Sequence, residues 1–190
     1  MINLFSTPIY RKKIILDDEK IKNFCYKLQN EKYYRKESNV GGFQSDNILN
    51  YKKIDNELFV FMEEIKNHID IFHKYLELDL NYKQSISQIW CNINGHKDLN
   101  LKHCHLKSIF SGVYFVETPD DCGPLKFHHP SPVFEHTWNL ERKMWNEINS
   151  TSYNFIPEKG DLYIFPSWSE HSVEMNRSNK DRISLAFDTV

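Results

Sequence analysis

Apolar residues recur at two different periods along this chain, and the change falls near residue 84. After Asp17 and Asp18, which can cap a helix, Ile21, Phe24, Cys25 and Leu28 lie three and four apart and so share one helical face. A longer stripe follows in Ile54, Leu58, Phe61, Met62, Ile65, Ile69, Phe72 and Leu76. It covers about six turns, opposite Glu63, Lys66, Asp70 and Lys74. A stripe that wide must pack on something, and the sheet that follows is the natural partner. His68 and His73 fall on or beside the polar flank and are expected to be solvated. Ser38 to Gln44, with Gly41 and Gly42 inside it, reads as a loop.

Beyond residue 84 the period becomes two. Strands are expected at Ser87 to Ile93, Leu99 to His105, Ile109 to Glu117, Leu125 to His129, Leu162 to Phe165, Glu170 to Glu174 and Arg182 to Asp188. Short strands without helices between them predict a mostly β (α+β) domain, a jelly roll or small barrel with packed helices. The chain therefore reads as one domain, with a helical support region at 1–83 and a β core at 84–190. Residues 130–155 interrupt that core with Phe134, Trp138, Trp145 and Tyr153. So long a connection in a compact β domain is often a functional lid. His129, Trp138 and Trp145 would then stand at the mouth of a site. The alternative is that the aromatic residues pack on the outer sheet or form a homodimer surface.

Composition narrows the class. With 190 residues, 40% of them hydrophobic, the chain can bury one real core. A net charge of -2, with basic and acidic residues interspersed, gives no footprint for nucleic acid. No run of eighteen apolar residues suggests a membrane span, and the start lacks the form of a signal peptide. Cys25, Cys91, Cys104 and Cys122 form no C-x-x-C pair and read as free thiols. The expectation is a soluble cytoplasmic protein, in the host cytoplasm if phage-encoded.

The chemistry concentrates in the second half. His103 and His105, two apart in an extended run, point the same way, while Cys104 points to the opposite face. His171, arriving from another strand end, would complete a three-imidazole site with open positions, the form a reactive metal needs. The bland alternative is three ordinary histidines in a chain with nine. His128 and His129 form a competing pair, whereas His96 sits in a turn and His136 within the insertion. Eleven residues after His171 comes Arg182-Ile183-Ser184. Ile183, Leu185 and Phe187 should face the helices, leaving Arg182, Ser184 and Ala186 to the interior. An arginine inside a strand calls for an anionic partner, and guanidinium plus hydroxyl suits a carboxylate. The plain alternative is a strand-end arginine in solvent, paired with Asp181 or Asp188.

With these residues in view, the chain resembles the iron(II)/2-oxoglutarate-dependent oxygenases, and particularly a branch from marine bacteria and their phages. The resemblance runs through Leu4-Phe5-Ser6-Thr7-Pro8-Ile9, Trp90-Cys91-Asn92 and Ser111-Gly112-Val113-Tyr114. It continues through Gly160-Asp161-Leu162, Phe165-Pro166-Ser167-Trp168, His171 and Arg182-Ile183-Ser184, and so covers nearly the whole chain. It implies a double-stranded β-helix and Fe(II) held by His103, His105 and His171, with O2 as co-substrate. It also implies 2-oxoglutarate chelating the metal, with its far carboxylate held by the arginine, Arg182, which the strand pattern sets beside Ser184; Tyr114 and Asn92 are the next candidates for cofactor contacts. The outcome would be hydroxylation of a small molecule or a protein side chain. Two positions depart from the pattern. The wider superfamily carries His-x-Asp or His-x-Glu where this chain has His105, and an acidic residue is usual where His129 precedes Pro130. Two other readings share the same histidines: a zinc-hydroxide hydrolase or lyase, and a cupin-like binding or phage structural protein with a vestigial site.

Overall fold

The computed structural model describes residues 4–51, 56–79, 81, 84–131, 133 and 141–190. Helix α1, Asp18–Asn30, begins where the Asp17 side chain accepts the Lys20 backbone N–H, and acidic Asp18 and Glu19 occupy its first turn. It buries Ile21, Phe24, Cys25 and Leu28, the predicted stripe. Helix α2, Asn56–Tyr75, buries Leu58, Phe61, Ile65, Ile69 and Phe72 as expected, and Ile54 lies outside the described residues. His68 and His73 are buried as well, contrary to the solvated placement. The Tyr10 hydroxyl meets His68 Nδ1 at 2.7 Å, and His73 stands edge-on to Phe110. Helical periodicity alone contains neither contact.

Among the described residues eleven strands follow the chain order. They are β1 Tyr10–Lys13, β2 Asn39–Val40, β3 Phe43–Gln44, β4 Ile86–Asn94, β5 Leu99–His103 and β6 Phe110–Glu117, then β7 Leu125–His128, β8 Ser152–Phe155, β9 Asp161–Pro166, β10 His171–Val173 and β11 Arg182–Thr189. A six-stranded sheet runs β1-β9-β6-β11-β4-β3, and a five-stranded sheet runs β2-β5-β10-β7-β8. All pairings are antiparallel, which gives the expected double-stranded β-helix. Four strands, β1, β2, β3 and β8, were missing from the sequence expectation. The supposed loop 38–44 is a turn at Gly41, φ 85°, between β2 and β3, which join different sheets. β1 edges the large sheet, so the first 83 residues are not only helical. Ser152–Phe155, assigned to the insertion, pairs with β7.

The two helices cover the outer face of the large sheet. Ile89, Cys91 and Ile93 of β4, Tyr114 and Val116 of β6, and Ile183, Leu185 and Phe187 of β11 meet them in one core. Each such side chain stabilises the layer by about 1.5–3 kcal/mol when fully buried. A second, smaller cluster (Val113, Phe115, Leu125, Phe127, Tyr163, Phe165) fills the space between the sheets. Gly112 of β6 leaves room for the Phe187 ring of the neighbouring strand β11. A Cβ there would overlap the Phe187 ring and crowd the Tyr163 carbonyl. The inward positions of β11 are left to Arg182, Ser184, Ala186 and Asp188.

Candidate metal centre

His103 ends β5 and His171 opens β10, and the antiparallel register sets them directly opposite each other. His105 lies past the end of β5, in a turn rather than in the predicted strand. Its backbone N–H donates to Ser167 O (2.9 Å), which ties it to the segment after β9. The ring centroids are 5.0 Å apart for His103 and His105, 4.4 Å for His103 and His171, and 5.4 Å for His105 and His171. One ligand nitrogen from each falls within 4.8 Å of the other two.

Hydrogen bonding sets the tautomers. His103 Nδ1 lies 2.6 Å from Leu101 O, and His171 Nδ1 lies 2.9 Å from Ser169 O. A carbonyl only accepts, so both Nδ1 atoms carry the proton and Nε2 keeps its lone pair. His105 Nδ1 donates to the Asp188 carboxylate at 3.0 Å. All three rings can therefore turn Nε2 toward one point. Burial, reinforced by the neighbouring imidazoles, pushes His171 down to about 3, and burial also lowers His103. Neutral imidazole is the form that binds a metal. A three-nitrogen set of this kind suits iron, nickel, copper or zinc.

Asp188 was not among the residues singled out for the site, although its two-residue spacing from Arg182, Ser184 and Ala186 puts it on the inward face. It is fully buried, and its oxygens also accept from Ser111 Oγ (2.6 Å) and Gln88 Nε2 (2.6 Å). Burial alone would raise its pKa, but hydrogen bonds from His105, Ser111 and Gln88 overcome that and hold it below the usual carboxylate range. Trp90 stacks on His105 with ring centroids 5.6 Å apart, and the Arg35 guanidinium lies 4.9 Å from the Trp90 ring. Neither contact follows from local spacing.

From the histidines a cleft runs along β11 past Ala186 and Ser184 to Arg182, with Trp90, Asn92 and Asn100 on its walls. Arg182 is only 1% exposed. Its Nη1 donates to the Glu174 carbonyl (2.9 Å) and to the Cys122 carbonyl, while Nη2 is buried with no hydrogen-bond partner. Burial lowers its pKa to about 10, so the cation persists at neutral pH. The strand-end arginine in solvent is thereby set aside. An unsatisfied buried guanidinium donor is costly and fits a ligand carboxylate.

Other predicted positions fall elsewhere. Tyr114 faces the helices, where its hydroxyl contacts Asp18 Oδ1 at 2.5 Å, so the expected cofactor contact is corrected. The alternation along β6 that turns Val113 into the cleft necessarily turns Tyr114 out. His129 makes local contacts with Ser131 and does not line the cleft. His128, its partner in the competing pair, meets Ser172 Oγ at 3.1 Å. Trp145 is exposed beneath the Arg142 guanidinium, and Trp138 lies outside the described residues.

A family model described as 2OG-Fe(II) oxygenase matches residues 88–188, just over half of the 190-residue chain. No curated protein matches the sequence. Among solved structures, a Pseudomonas putida prolyl-4-hydroxylase aligns over 98% of this chain and 94% of its own, with a TM-score of 0.66 at 13% identity. A Trichoplax adhaerens prolyl hydroxylase, solved with a hypoxia inducible factor oxygen degradation domain peptide fragment, covers 95% of this chain and 82% of its own (TM-score 0.67, 11% identity). A Burkholderia pseudomallei oxidoreductase of the 2OG-Fe(II) oxygenase family aligns over only 56% of this chain and 44% of its own, at a TM-score of 0.44, and carries no weight. The two full-length likenesses establish a shared fold, and the family match, which spans all three histidines and the arginine, establishes the kinship: the chain belongs to the 2OG-Fe(II) oxygenases.

Proposed function

We propose that this oxygenase holds Fe(II) through His103, His105 and His171 and binds 2-oxoglutarate with its far carboxylate on Arg182 and Ser184. The observation that carries the reading is the cleft itself. It joins three convergent imidazoles to a buried arginine whose Nη2 lacks a partner. The metal and co-substrate, when bound, couple decarboxylation of 2-oxoglutarate to succinate and CO2 with insertion of one oxygen atom of O2 into a substrate C–H bond. The chain's own residues bind and orient. Leu101 O, Ser169 O and Asp188 fix the three imidazoles. Arg182 neutralises the distal carboxylate, Asn92 offers an amide at the cleft wall, and Ala186 leaves the floor open. The apolar set Val113, Leu125, Phe165 and Val173 keeps the inner end of the cleft dry. A zinc hydrolase or a vestigial binding module would leave the Arg182 donor without purpose.

The substrate is a small molecule or a protein side chain delivered at the open face of the histidines. We place the enzyme in a reducing cytoplasm, in keeping with its four free cysteines. Among the described residues no helix is long and apolar enough to cross a membrane. The narrower kinship with the marine bacterial and phage branch rests on the ordered motifs from Leu4 to Ser184. Succinate formation from 2-oxoglutarate tests the function. The parent with Fe(II) and O2 should produce succinate slowly even without a prime substrate, and the His171→Ala protein should not. Equal succinate from both would overturn the assignment.

A further inference from the structure

The family pattern supplies a carboxylate to the metal at the position occupied here by His105, so three neutral imidazoles would leave the centre one charge more positive. A carboxylate nevertheless stands one ring away. Asp188 Oδ2 accepts from His105 Nδ1 at 3.0 Å, on the side of the ring away from the ligand nitrogen. Its other partners, Ser111 Oγ–H and Gln88 Nε2–H, are neutral, and among the described residues no lysine or arginine pairs with it. A fully buried, uncompensated carboxylate is expensive, and such groups persist where a cation answers them. Among the described residues its one charge-capable partner is the His105 imidazole, through which it would face the positive charge of a metal on the opposite ring nitrogen.

We infer that Asp188 is the positioning residue of this metal centre, returning through His105 the negative charge that the usual ligand carboxylate would supply directly. The inference rests on the three-histidine reading above. The surroundings are built for this role. Arg35 Nη1 donates to Gln88 Oε1 (3.1 Å), which orients the Gln88 amide so that its Nε2 donates to Asp188. Trp90 holds the His105 ring by stacking, and β11 pairs Asp188 with Gln88 on β4 and Ser111 on β6. Carboxylate and imidazole are thus both immobilised before any metal arrives. Such an acceptor raises imidazole basicity and fixes its orientation, and losing one typically weakens metal binding on the order of 10–100-fold.

The test is equilibrium titration of the metal-free protein with Co(II) at neutral pH, followed by the visible absorption of the ion. In Asp188→Asn the side chain keeps its shape and can still accept from His105, but the charge is gone. We expect a folded protein whose Co(II) dissociation constant rises by on the order of 10-fold or more, with a shifted Co(II) spectrum. Ser111→Ala withdraws one hydrogen bond from Asp188 without touching His105, and a smaller, several-fold weakening is expected. Folded Asp188→Asn protein that binds Co(II) within about twofold of the parent, with an unchanged spectrum, would overturn the inference. Should that variant fail to fold, Ser111→Ala decides alone, and unchanged affinity there overturns it equally. A parent that binds no Co(II), or a His171→Ala variant that binds it as well as the parent, would instead count against the three-histidine reading.

Discussion

Three side chains carry testable weight by themselves. His171→Ala should remove most bound metal while the fold persists, since its ring fills the end of the cleft rather than the main core; full metal occupancy measured on folded protein would contradict this. Arg182→Ala should raise the apparent KM for 2-oxoglutarate. A hydrogen bond to a charged group is worth about 1.5–3 kcal/mol, so steady-state kinetics should show a loss on the order of 10–100-fold, with Ser184→Ala costing less. Decarboxylation by Arg182→Ala at the parent's KM would move the anchor elsewhere. The buried imidazoles also predict a pH dependence. Burial holds His171 down to about 3, whereas an unfolded histidine titrates near 6.5, so between these values the unfolded chain binds the extra proton. The stability of the metal-free protein should therefore fall as pH drops through about 6.5 toward 3, and the fall should be shallower in His171→Ala. Thermal melts of the two proteins at stepped pH would show parallel slopes if this account were wrong.

At the scale of elements, period-two spacing revealed β4, β6, β9 and β11, and helical spacing revealed both helices, because each buries a face that local sequence records. Even the facing of β11 was legible, with Ile183, Leu185 and Phe187 toward the helices and Arg182, Ser184 and Ala186 inward. The errors lie where a partner outside the element decides. β1, β2 and β3 are two to four residues long and exist because a sheet edge awaits them. His68 is buried against Tyr10 of β1 and His73 against Phe110 of β6, and Tyr114 left the site because neighbouring positions on a strand face opposite ways. Gly112 marks how closely side chains pack across the neighbouring strands of the large sheet. Gly112→Ala forces a methyl group against the Phe187 ring and should destabilise the fold by about 1–3 kcal/mol in denaturant unfolding; an unchanged midpoint would contradict that close packing.

For the whole molecule, the histidines and the arginine were legible as separate motifs, but their joining in one cleft was not, since it depends on β10 lying opposite β5 and on β11 running beneath both sets. Asp188 shows the same limit: its spacing announced the inward face, yet only the folded sheet brings it to His105. The central claim is that one cleft holds Fe(II) at the histidines and 2-oxoglutarate between metal and Arg182. Anaerobic addition of Fe(II) and then 2-oxoglutarate, followed by visible spectroscopy, tests it most directly. A weak charge-transfer band should appear only when both are present. It should vanish in His171→Ala and require far more 2-oxoglutarate in Arg182→Ala. No band in the iron-loaded parent at saturating 2-oxoglutarate, or the same titration curve in Arg182→Ala, would contradict the account.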